Sequence, residues 1–108
     1  MRLHDMLEAI GRIRRYSVKG RDAFERNELV QTWIVHHLRI LGEAAARLSP
    51  ELRACTPTIP WKKIVGMRNI LVHEYFRIDR DAVWSVIEHD LPTLEPEVRR
   101  IIADLERG

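Results

Sequence analysis

Met67-Arg68-Asn69-Ile70-Leu71-Val72-His73-Glu74-Tyr75-Phe76 sets a guanidinium, an amide, an imidazole and a phenol within eight residues. Projected from Pro60 at 100° per residue, Trp61, Ile64, Val65, Leu71 and Val72 fall in one apolar arc, as in an amphipathic helix. Arg68 projects near the middle of that arc, where an aliphatic side chain is expected. Asn69 and His73, four apart, share another face with Gly66. A cation on a buried stripe costs stability unless it is paired or lines a cleft. Patterning fails locally here, and such failures tend to mark sites.

The rest of the chain reads as helices around this one. Leu3, Met6, Leu7, Ile10 and Ile13 repeat at helical spacing, so a first helix is expected over Leu3–Ser17, with Gly20 as its break. Asp22 and Glu25 have the spacing of a capping box. From there Ala23, Val30, Trp33, Ile34, Leu41, Ala44, Ala45 and Leu48 hold one stripe, which predicts one long helix to Leu48. Ser49-Pro50-Glu51 opens a short extra turn, with proline at a tolerated first position. Thr56–Pro60 is the loop before the motif helix. Asp79 is the expected cap of the last helix. Val83, Trp84, Ile87, Leu91, Leu94, Val98, Ile101, Ile102 and Leu105 keep one phase through Pro92 and Pro96. That predicts one helix over Arg80–Glu106, bent at the prolines because each removes a bond and crowds a carbonyl four back. The alternative is a break near Thr93. The fold class is therefore all-α, an up-and-down bundle of four main helices plus a short helical turn.

The 108 residues make a single domain, small enough to profit from oligomerisation. At 45% hydrophobic and 31% charged, the composition suits a soluble helical protein. A net charge of +2 does not by itself argue for nucleic acid. Arg12, Arg14, Arg15, Lys19 and Arg21 do crowd the end of the first helix, either as a solvated terminus suited to the helix dipole or as an RNA or partner contact. The single Cys55 excludes an internal disulfide and fits a reducing cytoplasm. No apolar run is long enough for a membrane span. No zinc-type spacing and no glycine-rich phosphate loop occur, so neither a metal nor a cofactor is expected.

His73 is the only histidine beside both an Arg and a Tyr. An imidazole titrating near neutral pH can take or give a proton, as RNA cleavage without a metal requires. The planar fork of Arg68 suits a crowded phosphate. Asn69 is placed to bond that phosphate or to fix the histidine tautomer. Five residues separate Arg68 from His73, roughly 140° around a helix. Sharing a face therefore requires fraying, a reaching arginine or a second chain. Gly66 and Asn69 leave little bulk beside His73, which favours close approach of a twofold-related helix. His36 and Glu43 project from one face of the second helix and are read as a rim of the cleft, with Glu74. His37 lies on the apolar stripe and reads as a satisfied core histidine; Trp33, Trp61 and Trp84 read as core.

Arg68-Asn69-Ile70-Leu71-Val72-His73-Glu74-Tyr75 resembles the Arg-x4-His-x-Tyr signature of the HEPN superfamily, and more narrowly the HepT toxins of HEPN–MNT toxin–antitoxin pairs. Leu41-Gly42-Glu43-Ala44-Ala45, Ile59-Pro60-Trp61, and Val83-Trp84 with Asp90-Leu91-Pro92 are similar to that family in the same order. Glu74 stands where relatives commonly carry a small residue. The resemblance implies a HEPN-like homodimer with a composite cleft taking Arg and His from both copies. It implies a metal-independent endoribonuclease with Arg68, His73 and Asn69 as catalytic residues. It further implies that Tyr75 accepts AMP from an MNT nucleotidyltransferase antitoxin. The alternative is a non-catalytic HEPN dimer that binds RNA or a nucleotidyltransferase partner.

Overall fold

The computed structural model describes residues 2–69 and 79–108. Every regular element among them is helical. Helix α1 (Arg2–Ser17) buries Leu3, Met6, Ala9, Ile10 and Ile13. It stops before Gly20, whose φ of 95° is a left-handed turn that a side chain would strain.

The expected single helix to Leu48 is instead two. Helix α2 (Arg21–Arg26) ends at Asn27, and α3 (Glu28–Ala46) starts there. Asn27 has extended backbone, and its side-chain oxygen accepts hydrogen bonds from the amides of Leu29 and Val30. Those two bonds satisfy orphan donors at the start of α3, so the amide ends one helix and caps the next. The Asp22–Glu25 capping box is not formed: α2 has no side-chain cap, and Glu25 pairs with Arg21 instead. The break also resets the stripe. Phe24, not Ala23, is the fully buried residue of α2, packed at 5.5 Å against the Trp84 ring.

Helix α4 (Pro50–Ala54) is the expected short turn, with Ser49 capping the Leu52 amide. After the loop, α5 (Trp61–Gly66) tightens into a 3-10 turn over Met67–Asn69. Helix α6 (Arg80–Ser85), capped by Asp79, runs through a π-helical segment (Val86–Asp90) into α7 (Leu91–Arg107) without a break. The wide turn brings the Leu91 amide to the Val86 carbonyl and opens the coil where the Pro92 ring would crowd the carbonyl four back. The π turn also buries Val86, which the expected stripe omitted, while Leu105 is exposed.

Helices α1 and α3 lie along one another; α3 also packs on α5 with its 3-10 turn, and α1 on α7. Among the described residues, no helix is long and apolar enough to cross a membrane. Two ion pairs, Arg14–Glu95 and Arg21–Asp81, tie the basic end of α1 and its neighbour to the last helices.

Helix α3 and the 3-10 turn approach closely at Gly42. A Cβ there would lie 2.7 Å from the Arg68 amide nitrogen and 3.1 Å from the Ile64 carbonyl oxygen, both backbone atoms. His37, five residues earlier on α3, is buried with its Nδ1 unpartnered among the described residues. The expectation of a satisfied core histidine is corrected in that respect: the ring lies 4.6 Å from that of Trp33, inclined at 58°, but among the described residues no polar group meets that nitrogen. Trp33 itself is only half-buried and donates from Nε1 to the Arg12 carbonyl.

Gly42→Ala is expected to destabilise the fold by about 1–3 kcal/mol, the usual cost of overpacking, as measured by urea unfolding. An unchanged midpoint would mean that the crossing is loose. Burial, then the neighbouring His36 and Arg12, hold the His37 pKa below its ordinary value of 6.5. Unfolding raises it back, so the unfolded chain binds more protons in acid. Stability is therefore expected to be full above about pH 6.5 and to fall as the pH drops through the folded pKa. The acid-induced fall in urea midpoint should shrink in His37→Leu; an identical fall in both proteins would assign it to other groups.

Candidate functional site

Arg68 sits where three elements converge. Thr56 Oγ1 accepts from Trp61 Nε1 at 2.9 Å and donates to the Leu52 carbonyl, which pins the start of α5 to the preceding helical turn. Lys63 reaches across to Asp90 on the π segment at 2.9 Å. Trp61, Ile64 and Met67 are buried at intervals of three. That spacing is the eclipsed period of a tightening 3-10 coil rather than the three-to-four alternation of a straight α-helix.

The consequence corrects the position expected for Arg68. Met67 takes the buried position, and Arg68 is rotated off the stripe, with its side chain 40% exposed. Its backbone is pressed against Gly42, and its guanidinium Nη1 lies 3.7 Å from the Glu43 carboxylate. A half-exposed pair of that kind is worth roughly 0–1 kcal/mol, so an incoming anion can displace the carboxylate at low cost. Asn69, the next residue, is exposed. Among the described residues, nothing lies within 4 Å of where a Cβ on Gly66 would stand. Helix α3 and the 3-10 turn thus bring Glu43 and Arg68 together, with exposed Asn69 the next residue of the turn. His73, Glu74 and Tyr75 lie outside the described residues.

His36 is placed elsewhere along the same helix face as Glu43. Both line a groove of about 670 Å³ between α1 and α3, with Glu43 at once a wall of the groove and the partner of Arg68. Two further arginines on that face, Arg39 and Arg47, stand four residues to either side of Glu43 and also line it. Sequence reasoning passed them over in favour of the cluster at the end of α1, three members of which are taken up by ion pairs. The signal was the i, i+4, i+8 spacing of Arg39, Glu43 and Arg47. The packing role of Gly42 had a weaker one, as the small residue beside two alanines on α3. Among the described residues, no group of three or more His, Cys, Asp or Glu side chains is arranged to hold a metal ion.

The chain matches the family model described as "Ribonuclease HepT-like" over residues 6–101. A Methanocaldococcus jannaschii protein named "Putative RNase MJ1380" is 33% identical over 97 residues, which cover 89% of each chain. The Thermococcus cleftensis protein named "Probable ribonuclease HepT" is 28% identical over 100 residues, 92% of this chain and 91% of the relative. A second M. jannaschii protein, "Gamma-glutamylcyclotransferase and putative RNase MJ0434", is 34% identical over 107 residues; these are 98% of this chain but 48% of that one. No solved structure matches the chain. The all-α fold, the arginine held at the α3 crossing and a family match running through nearly every element lead to one assignment: this chain belongs to the ribonuclease HepT-like family, within the HEPN superfamily of ribonucleases.

Proposed function

We propose that this protein is a metal-independent endoribonuclease toxin, active in the cytoplasm as a homodimer and neutralised by an MNT-type nucleotidyltransferase antitoxin. The observation that carries the reading is Arg68 itself. Its backbone is fixed by the close crossing at Gly42, while its guanidinium stays half-exposed beside Asn69 and is engaged by the surface carboxylate of Glu43. A cation held on a rigid element yet loosely paired is suited to receive a phosphodiester.

In the reaction the ribose 2′-oxygen bonds to phosphorus and the bond from phosphorus to the 5′-oxygen breaks. His73, from one copy or both, takes the proton of the 2′-hydroxyl and supplies one to the departing 5′-oxygen. Arg68 holds the non-bridging oxygens as charge builds on them, and Asn69 adds a neutral hydrogen bond. Two copies facing each other across Gly66 and Asn69 place Arg and His from both chains in one cleft. Transfer of AMP to Tyr75 breaks the bond between the α- and β-phosphorus groups of ATP, forms a phosphodiester on the phenol oxygen and releases pyrophosphate. The added phosphate and its bulk, seven residues from Arg68, compete with RNA for the guanidinium.

Incubated with total RNA in EDTA, the wild-type protein is expected to cleave. Arg68→Ala and His73→Ala are expected to lose about 100-fold or more of the rate, the scale of a lost acid–base group. Circular dichroism and sedimentation of both should match wild type. A His73→Ala protein that cuts at the wild-type rate removes the histidine from the chemistry. A wild-type monomer that still cleaves would exclude the shared cleft. With the antitoxin and ATP, intact mass is expected to rise in steps of one AMP for wild type and to stay constant for Tyr75→Phe. Equal labelling of that variant would place the acceptor on another residue.

A further inference from the structure

The groove between α1 and α3 is not needed for the chemistry above, yet it opens beside it. Its volume of about 670 Å³ falls in the range of about 300–1,000 Å³ typical of ligand sites. Its charges are unevenly satisfied. On the α1 wall Arg2 pairs with Asp5 and Arg12 with Glu8, at 2.7 Å in the second case. On the α3 wall Arg39 and Arg47 form no ion pair among the described residues. They lie about 12 Å apart along the helix at ~1.5 Å per residue, with Glu43 midway. On the floor, His37 is 5% exposed and its Nδ1 meets no partner, while exposed His36 stands edge-on to it with ring centres 5.0 Å apart. Ile40, partly exposed, adds an apolar surface.

We infer that this groove binds the single-stranded RNA flank of the substrate, with Arg39 and Arg47 on phosphates two nucleotides apart and a base lodged against Ile40 and His36. The inference rests on the nuclease reading and extends it from the scissile linkage to the neighbouring nucleotides. Two cations along a helix, unengaged among the described residues, give a track for a polyanion, and imidazole and aliphatic surfaces accept the face of an unpaired base. The buried His37 ring forms part of the floor beneath that base. Glu43 links the two regions: a strand that displaces it from Arg68 enters the groove at the same point.

The test compares wild type with the Arg39→Ala/Arg47→Ala double variant, both substitutions being at exposed positions. A short single-stranded RNA with 2′-O-methyl groups supplies an uncleavable ligand, because the attacking hydroxyl is blocked. By fluorescence anisotropy over a salt series, the double variant is expected to bind about tenfold more weakly. Its plot of log affinity against log salt should be shallower by about 1.4, from ~0.7 per phosphate contact. Cleavage of a dinucleotide too short to reach the groove should be unchanged. Equal affinity and slope in the two proteins would overturn the groove and leave the nuclease standing. Binding that weakens as predicted, with no cleavage by wild type, would support the groove while the catalytic reading fails. A dimer-to-monomer shift of the double variant in sedimentation velocity would overturn the proposal by making this face a contact between copies.

Discussion

Two backbones touch where α3 passes the 3-10 turn, and that contact is possible because position 42 has no side chain. A Cβ there would stand 2.7 Å from the amide nitrogen of Arg68. Packed interiors do not deform smoothly, so such a crossing has one good geometry and fixes whatever lies on either side of it. On one side lies Glu43; on the other lies the guanidinium that Glu43 faces at 3.7 Å. The hydrogen bond from Trp61 to Thr56 and the Lys63–Asp90 pair hold α5 from its other sides. The result is a closely packed backbone carrying a cation that, among the described residues, is only lightly engaged. In the proposed mechanism that combination serves the phosphate-binding role of Arg68, since the main chain is organised in advance and the ligand displaces a weak surface pair.

Most of the fold was legible in the sequence because helical periodicity and caps are local. Gly20, Ser49-Pro50 and Asp79 all punctuate helices as their chemistry predicts. One apolar phase carried the last helix through two prolines, and the structure keeps that segment helical by widening a single turn into a π segment. Where the sequence misled, a local alternative competed on nearly equal terms. Asp22 and Glu25 had capping-box spacing, but Asn27 satisfies two amides at once and divides the helix. Phe24 then becomes the core residue of α2, which a continuous wheel assigned to Ala23.

The site was half legible. Arg68 stood out because it interrupted an apolar arc, and that arc was drawn for a straight α-helix. The 3-10 turn moves Met67 inward and Arg68 outward, so the residue is less buried than its wheel position implied. No periodicity argument could supply the pairing with Glu43, which depends on how closely two helices pass. His37 belonged to the apolar stripe, as expected, yet its unpartnered nitrogen is a tertiary fact. The arginines beside Glu43 on α3 were overlooked because a denser basic cluster at the end of α1 drew attention, although ion pairs consume part of that cluster.

The proposed mechanism makes the RNA's own 2′-hydroxyl the nucleophile, with His73 and Arg68 serving it and no metal taking part. The chemistry of the cut ends tests this most directly. After digestion of a defined RNA in EDTA, mass spectrometry of the fragments should find a 2′,3′-cyclic phosphate, or its opened form, on one side of each cut and a 5′-hydroxyl on the other. Fragments with 5′-phosphate and free 3′-hydroxyl ends would show water attacking the phosphorus and would contradict the account.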